Sequence, residues 1–151
     1  MQLPIDTILC DLDATLAKID HRLYFVKGEK KDFKSFESPE NLWEDAVFYW
    51  CRSLLYAFKA SSYKIIFVSG RWERTREVTE KWIKEKAGIK QFTLYMRPDE
   101  DFRPDWEVKE EILNKHIKKD EVLFVLDDRK QVVEMWRRNG LVCLQCAEGD
   151  Y

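Results

Sequence analysis

A chain of 151 residues with 45% hydrophobic content is long enough to bury a core and too short for two ordinary domains, so one domain spanning 1–151 is expected to carry the whole function. Against 26 Lys and Arg stand 28 Asp and Glu, a net charge of -2, which excludes a global field drawing the protein to nucleic acid or membrane. Any polyanion must be gripped locally.

Met1 to Thr7 lacks a basic start followed by a long apolar stretch, and no apolar run approaches bilayer length. A cytoplasmic protein with no membrane partner is expected. Thr7 to Cys10 is a short apolar run ending at Asp11, and it reads as a buried strand. A charged excursion, 17–62, follows it and leads into a helix from about Glu40 to Ala60, with Ser38 as cap and Pro39 in the first turn. Directly after the first strand, such an excursion can act as a lid or substrate-reading insert. Lys64 to Val68 is a second strand, ending at Ser69-Gly70, and Thr75 to Ala87 a helix closed by Gly88. Phe92 to Met96 is a weaker strand, Trp106 to Ile117 a helix, and Val122 to Leu126 a strand ending at Asp127-Asp128. Gln131 to Asn139 completes the helices, closed by Gly140, and Leu141 to Gln145 is a last weaker strand. Helix-length connections between strands favour a parallel sheet. The expected fold is α/β, three-layered, doubly wound and Rossmann-like, with a small helical insert after the first strand.

In such sheets ligands bind beyond the carboxyl ends of the strands. Here those ends are acidic: Asp11 and Asp13 after the first strand, Asp127 and Asp128 after a later one. Carboxylates gathered from both ends repel unless a cation intervenes, and oxygen-only ligands favour magnesium over zinc or copper. Taken alone, Asp11-Leu-Asp-Ala-Thr15 could cap a loop and Asp127-Asp128 a helix; their joint placement at two strand ends favours chemistry. Ser69-Gly70-Arg71 offers a hydroxyl, close backbone approach and a guanidinium to a phosphate. Lys109, on the helix entered through Asp105, can neutralise both a phosphate and a carboxylate. Cys143 and Cys146 form a lone Cys-x-x-Cys with no second pair, and buried reduced thiols are the expected reading. His21 and His116 show no metal-ligand spacing and receive no role. Trp43, Trp50, Trp106 and Trp136 fall on helical stretches and are expected in the core.

In order, Asp11-Leu-Asp-Ala-Thr-Leu16, Ser69, Lys109 and Asp127-Asp128 resemble the four motifs of the haloacid dehalogenase (HAD) superfamily of phosphatases. Within it, Asp11 to Arg22, Ser69-Gly-Arg71, Val108 to Ile112, Lys115 to Ile117, Asp127 to Arg138 and the ending Gly149-Asp-Tyr151 are similar to the 3'-phosphatase domains of T-even phage polynucleotide kinases. The resemblance implies a magnesium-dependent polynucleotide 3'-phosphatase. Asp11 would be the nucleophile and Asp13 the general acid and base, with magnesium held by Asp11, the Asp13 carbonyl and Asp127-Asp128. Thr15, Ser69, Gly70 and Lys109 would contact phosphate, while Arg22, Arg71, Asp105 and Arg129 would serve the substrate. DNA or RNA 3' ends would be the substrate in repair, a 2',3'-cyclic phosphate included, beside a separate kinase or ligase; a homo-oligomer is left open. Ala14 stands where the first motif usually has glycine, the stretch after Arg71 is shorter, and no Gly-x-x-x-x-Gly-Lys-Ser/Thr loop is present for a kinase.

Three other readings compete. A phosphatase for free nucleotides or small metabolites uses the same residues. A receiver-type phospho-acceptor places its acidic pair after the first strand and its acceptor in a middle one, the reverse of this order. A non-catalytic nucleic-acid binder is prompted by Arg71, Arg74, Arg76, Lys81, Lys84, Trp72 and Trp82, but interleaved Glu73, Glu77 and Glu80 look more like a solvated helix face with buried aromatics.

Overall fold

Residues 4–150 are described in the computed structural model, so expectations placed on Met1 to Leu3 and on Tyr151 lie outside the described residues. In chain order the elements are β1 (Thr7–Cys10), β2 (Ala17–Lys18), α1 (Phe33–Phe36), α2 (Pro39–Trp43), β3 (Ala46–Val47), α3 (Tyr49–Ala60), β4 (Lys64–Trp72), α4 (Arg76–Glu85), β5 (Thr93–Arg97), α5 (Asp105–His116), β6 (Val122–Arg129), α6 (Lys130–Arg138) and β7 (Cys143–Gly149). A 3-10 segment spans Asp20–Phe25. Five strands pair in parallel in the order β5-β4-β1-β6-β7, the three-layer arrangement expected from the sequence.

β1 occupies the centre because it is apolar on both faces, as a strand covered on both sides must be. Ile8 and Cys10 point to one face, packing with Cys51 and Leu55 of α3 and Trp82 and Ile83 of α4. Leu9 points to the other, among Val108, Ile112 and Leu113 of α5 and Val132, Val133 and Trp136 of α6. That two-residue alternation makes two cores from one sheet.

β4 and β6 run past their apolar stretches into Ser69–Trp72 and Asp127–Arg129, further than the sequence suggests. Pairing with β5 and β7 is irregular there, between Ser69 and Trp72 and between Asp127 and Arg129. Such irregularities re-aim side chains at the end of a sheet.

The helix expected from Glu40 to Ala60 is two helices. Its start is as anticipated, with Asn41 N donating to Ser38 Oγ at 3.3 Å and Pro39 in the first turn. It breaks after Trp43 because Ala46 and Val47 pair antiparallel with Lys18 and Ala17, and because the intervening Asp45 turns inward to meet two arginines. Tertiary pairing overrides helical propensity here. Elsewhere helix ends and β5 differ from expectation by one or two residues, the usual fraying, while β7 starts two residues later and ends four residues later than Leu141 to Gln145. Gly88 and Gly140 close α4 and α6 in the left-handed conformation, with φ of 72° and 83°.

Cys143 lies in the core beside Val125, whereas Cys146 points toward the Thr15 hydroxyl, so the two sulfurs face apart. Burial pushes both thiols up to about 12. Trp136 is in the core as expected and Trp43 and Trp106 are half-buried, but Trp50 is 45% exposed. Among the described residues no helix is long and apolar enough to cross a membrane.

Candidate active site

Three carboxylates from two strand ends meet at the centre of the sheet. Asp11 follows β1, and Asp127 and Asp128 lie on the polar extension of the adjacent β6. Each offers a carboxylate oxygen, all within 4.8 Å of one another, and all three residues are buried. Lys109, from the second turn of α5 and 1% exposed, donates to Asp11 Oδ1 at 2.8 Å and to Asp127 Oδ2 at 3.1 Å. The Thr15 hydroxyl lies 3.0 Å from Asp11 Oδ2 and 3.2 Å from Asp128 Oδ1, and Trp136 Nε1 donates to Asp127 Oδ2 at 3.2 Å. Burial, then the neighbouring Asp127, pushes the Asp11 carboxyl well up against the pull of Lys109. Asp127 is raised too, chiefly by burial. Ionised, these carboxylates are held close at a cost that a divalent cation would remove, and an all-oxygen donor set fits a hard cation.

Asp13 turns away from that cluster. Ala14, at φ 66°, puts a left-handed kink directly after it, the sharp turn at which the sequence has a methyl in place of glycine. The Asp13 Oδ1 atom accepts from Arg22 Nη2 at 2.8 Å and from Arg71 Nη2 at 2.6 Å. Burial opposes its charge, yet Arg22 and Arg71 hold Asp13 far below the usual carboxylate range. Both guanidiniums are fully buried and bound from behind by Asp45, whose Oδ2 accepts from Arg22 Nη2 at 2.8 Å and Arg71 Nη2 at 3.0 Å. Asp45 Oδ1 accepts from Arg22 Nε and shares a hydrogen bond with His21 Nε2 at 2.7 Å. His21, given no role from sequence, is thus part of this network.

The third group surrounds Gly70. Ser69 is buried, and its Oγ accepts from Arg71 N at 3.1 Å. Arg97 donates to Gly70 O at 2.9 Å and to Asp105 Oδ1 at 2.7 Å, while Arg129 Nη1 lies 3.3 Å from Asp105 Oδ2. Burial works against the Asp105 charge, but Lys109, Arg129 and Arg97 keep its carboxyl below its usual range. A β-carbon on Gly70 would fall 2.1 Å from Asp105 Oδ1, and that carboxylate cannot swing aside without leaving two arginines. Gly70→Ala is therefore expected to destabilise the fold by about 2 kcal/mol, measured by urea denaturation.

The structure thus gathers Asp11, Thr15, Lys109, Asp127 and Asp128 into one centre and places Asp13, Arg22 and Arg71 beside it. Ser69, Gly70, Asp105 and Arg129 form its third side. Side-chain oxygens of Asp13 are absent from the carboxylate cluster; its main chain is left as the proposed ligand. Sequence reasoning missed Asp45, Arg97 and Glu37, whose Oε1 accepts from Trp72 N at 3.1 Å. For Asp45 no local signal existed, since an acid after Trp43-Glu44 reads as the polar side of a helix.

Comparison with known proteins agrees with this geometry. A protein of Autographa californica nuclear polyhedrosis virus bearing the name "Putative bifunctional polynucleotide kinase/RNA ligase" is 31% identical over 131 residues, 86% of this chain and 17% of the viral protein. A chain in the structure of the Pnkp1/Rnl/Hen1 RNA repair complex superposes with a TM-score of 0.79 at 33% identity, over 97% of this chain and 44% of that one. This chain therefore spans less than half the length of both relatives. A haloacid dehalogenase-like hydrolase from Streptococcus pneumoniae shares the fold at 15% identity, with a TM-score of 0.64 over 93% of this chain and 84% of that one. The family model for the polynucleotide kinase PNKP phosphatase domain matches residues 5–151, nearly the entire chain, and the chain belongs to that family.

Proposed function

We propose that this chain is a magnesium-dependent polynucleotide 3'-phosphatase, acting at DNA or RNA 3' ends through an acyl phosphate formed on Asp11. The observation that carries the reading is the meeting of Asp11, Asp127, Asp128 and Lys109 at the carboxyl ends of two neighbouring parallel strands. Asp11, Asp127, Asp128 and the Asp13 carbonyl would hold the cation. When bound it supplies positive charge against the transferring phosphoryl oxygens.

The residues divide the remaining work. An Asp11 oxygen attacks phosphorus, forming an acyl phosphate as the bond to the leaving sugar oxygen breaks. Asp13 gives that oxygen a proton and later takes one from the water that attacks the acyl phosphate, releasing inorganic phosphate and free Asp11. With Arg22 and Arg71 both on Asp13, the carboxyl is ionised and suited to the second task. Moving one guanidinium to the substrate phosphate raises its proton affinity for the first. Lys109, Thr15 and Ser69 line the phosphate position, and the positive groups together offset charge in the transition state. The 17–62 segment is proposed as a cap within a single 1–151 domain, because it brings Arg22 and Asp45 to the site. A separate kinase or ligase would act beside it.

Phosphate release tests the proposal: a 3'-phosphorylated oligonucleotide is expected to be hydrolysed with magnesium, and at least about a hundredfold more slowly with EDTA. Equal release from 5'-phosphorylated oligonucleotides, or faster release from free mononucleotides, would move the substrate to another class.

A further inference from the structure

The active-site arginine is followed in sequence by an exposed aromatic surface that none of the proposed chemistry uses. Trp72 follows Arg71 at the end of β4 and is half-buried. Its ring meets that of Phe102 edge to face, centroids 5.2 Å apart at 74°, and the Arg74 guanidinium lies over it at 3.8 Å. Phe102 is 76% exposed, the most exposed of the large hydrophobic side chains among the described residues. An exposed phenyl ring set against a second aromatic ring with a guanidinium over it offers an apolar face at which a planar partner can stack.

The loop that carries Phe102 is fastened to the catalytic wall. Arg97, 8% exposed, donates to the carbonyls of Asp101 and Arg103 on either side of Phe102, to Gly70 O, and to Asp105. One buried guanidinium therefore sets the distance between the phenyl ring and the strand end bearing Ser69, Gly70 and Arg71. Trp72 is fixed from its other side by Glu37, which accepts from its backbone N–H. The acids around it are engaged: Asp99 and Glu100 with Arg74, and Asp101 with Arg103. The surface is a rigid aromatic pair with a stacked cation, continuous with the phosphate site through a single residue.

We propose that Trp72 and Phe102, with Arg74, form a stacking platform for nucleobases at the 3' end of a single-stranded polynucleotide. The inference rests on the polynucleotide reading above and adds what selects a polynucleotide over a small phosphate ester. Bases stack on aromatic faces without sequence preference, and a guanidinium adds to the attraction. Platform recognition predicts tolerance to base identity together with dependence on a base being present.

The test compares three substrates with the full chain: a 3'-phosphorylated tetrathymidylate, the same backbone with abasic sugars, and p-nitrophenyl phosphate. In Phe102→Ala, the ratio of kcat/KM for tetrathymidylate to that for p-nitrophenyl phosphate is expected to fall about 5- to 50-fold, mainly through KM. On the abasic strand the wild type should lose a similar factor and Phe102→Ala should lose little more, since the contact is already absent. Phe102→Trp should restore the ratio. Trp72→Ala should match Phe102→Ala, and because Phe102 is on the surface its own variant tests the platform even if Trp72→Ala folds poorly. An unchanged ratio in Phe102→Ala, or a full loss on the abasic strand beyond that of wild type, overturns the platform alone. Wild type that cleaves p-nitrophenyl phosphate but no 3'-phosphorylated strand overturns the polynucleotide reading and the platform with it.

Discussion

Asp11→Asn is expected to lower phosphate release by at least about four orders of magnitude while leaving the fold as stable as before, or more so. An amide matches the carboxylate in shape but is not a nucleophile, so no acyl phosphate forms. Stability should not suffer, because burial and Asp127 already disfavour the charge at position 11. The amide oxygen can still accept from Lys109, and the amide nitrogen can donate to the Thr15 hydroxyl, reversing that bond. Lys109 also keeps Asp127. Single-turnover phosphate release and a thermal melt in EDTA check the two halves; activity above one hundredth of wild type would place the nucleophile elsewhere.

Asp45→Ala should produce the largest loss of stability, about 3–5 kcal/mol, and a fall in melting temperature of about 6–20 °C. Asp45 is 1% exposed and is the carboxylate behind two fully buried guanidiniums. Removing it leaves Arg22 and Arg71 sharing Asp13, and desolvated charge without a partner is the costly outcome. Its backbone carbonyl still accepts from Trp82 Nε1 at 2.9 Å, so the chain path should survive. Asp45→Asn keeps the shape and some hydrogen bonding and should cost less than half as much. Activity should fall with Asp45→Ala because two guanidiniums lose their aim. A melt within 2 °C of wild type, on the order of a single weak contact, would show that the network is not structural.

The sheet was legible because its three central strands begin as short apolar runs, and the carboxylate centre because acids stand where two of those runs stop. What local pattern cannot carry is a residue whose partners are distant. Asp45 is 23 residues from Arg22 and 26 from Arg71, and nothing in Trp43-Glu-Asp-Ala46 says that a helix must break to turn that acid inward. Arg97 is similar: it reads as the polar end of a strand, yet its value lies in carbonyls supplied by another strand and a loop and in a carboxylate at the start of α5. The pairing of Ala17–Lys18 with Ala46–Val47 spans an irregular segment, and two-residue strands leave no periodicity. Residues of the first, third and fourth motifs could be placed together from order and type. How the Asp13 carboxylate departs from that of Asp11 could not, since extended alternation put both on one side, whereas Arg22 and Arg71, distant in sequence, take the Asp13 carboxylate.

The central position of β1 bears on biosynthesis. Its partners start at Lys64 and Val122, so the first strand of this sheet to be translated has no sequence-adjacent neighbour to pair with. At about 5–20 residues per second, one edge of an apolar segment waits on the order of ten seconds for its last partner. During that interval the nascent chain is open to aggregation, and Asp11 stands without the acids that complete its surroundings, which have not yet been translated.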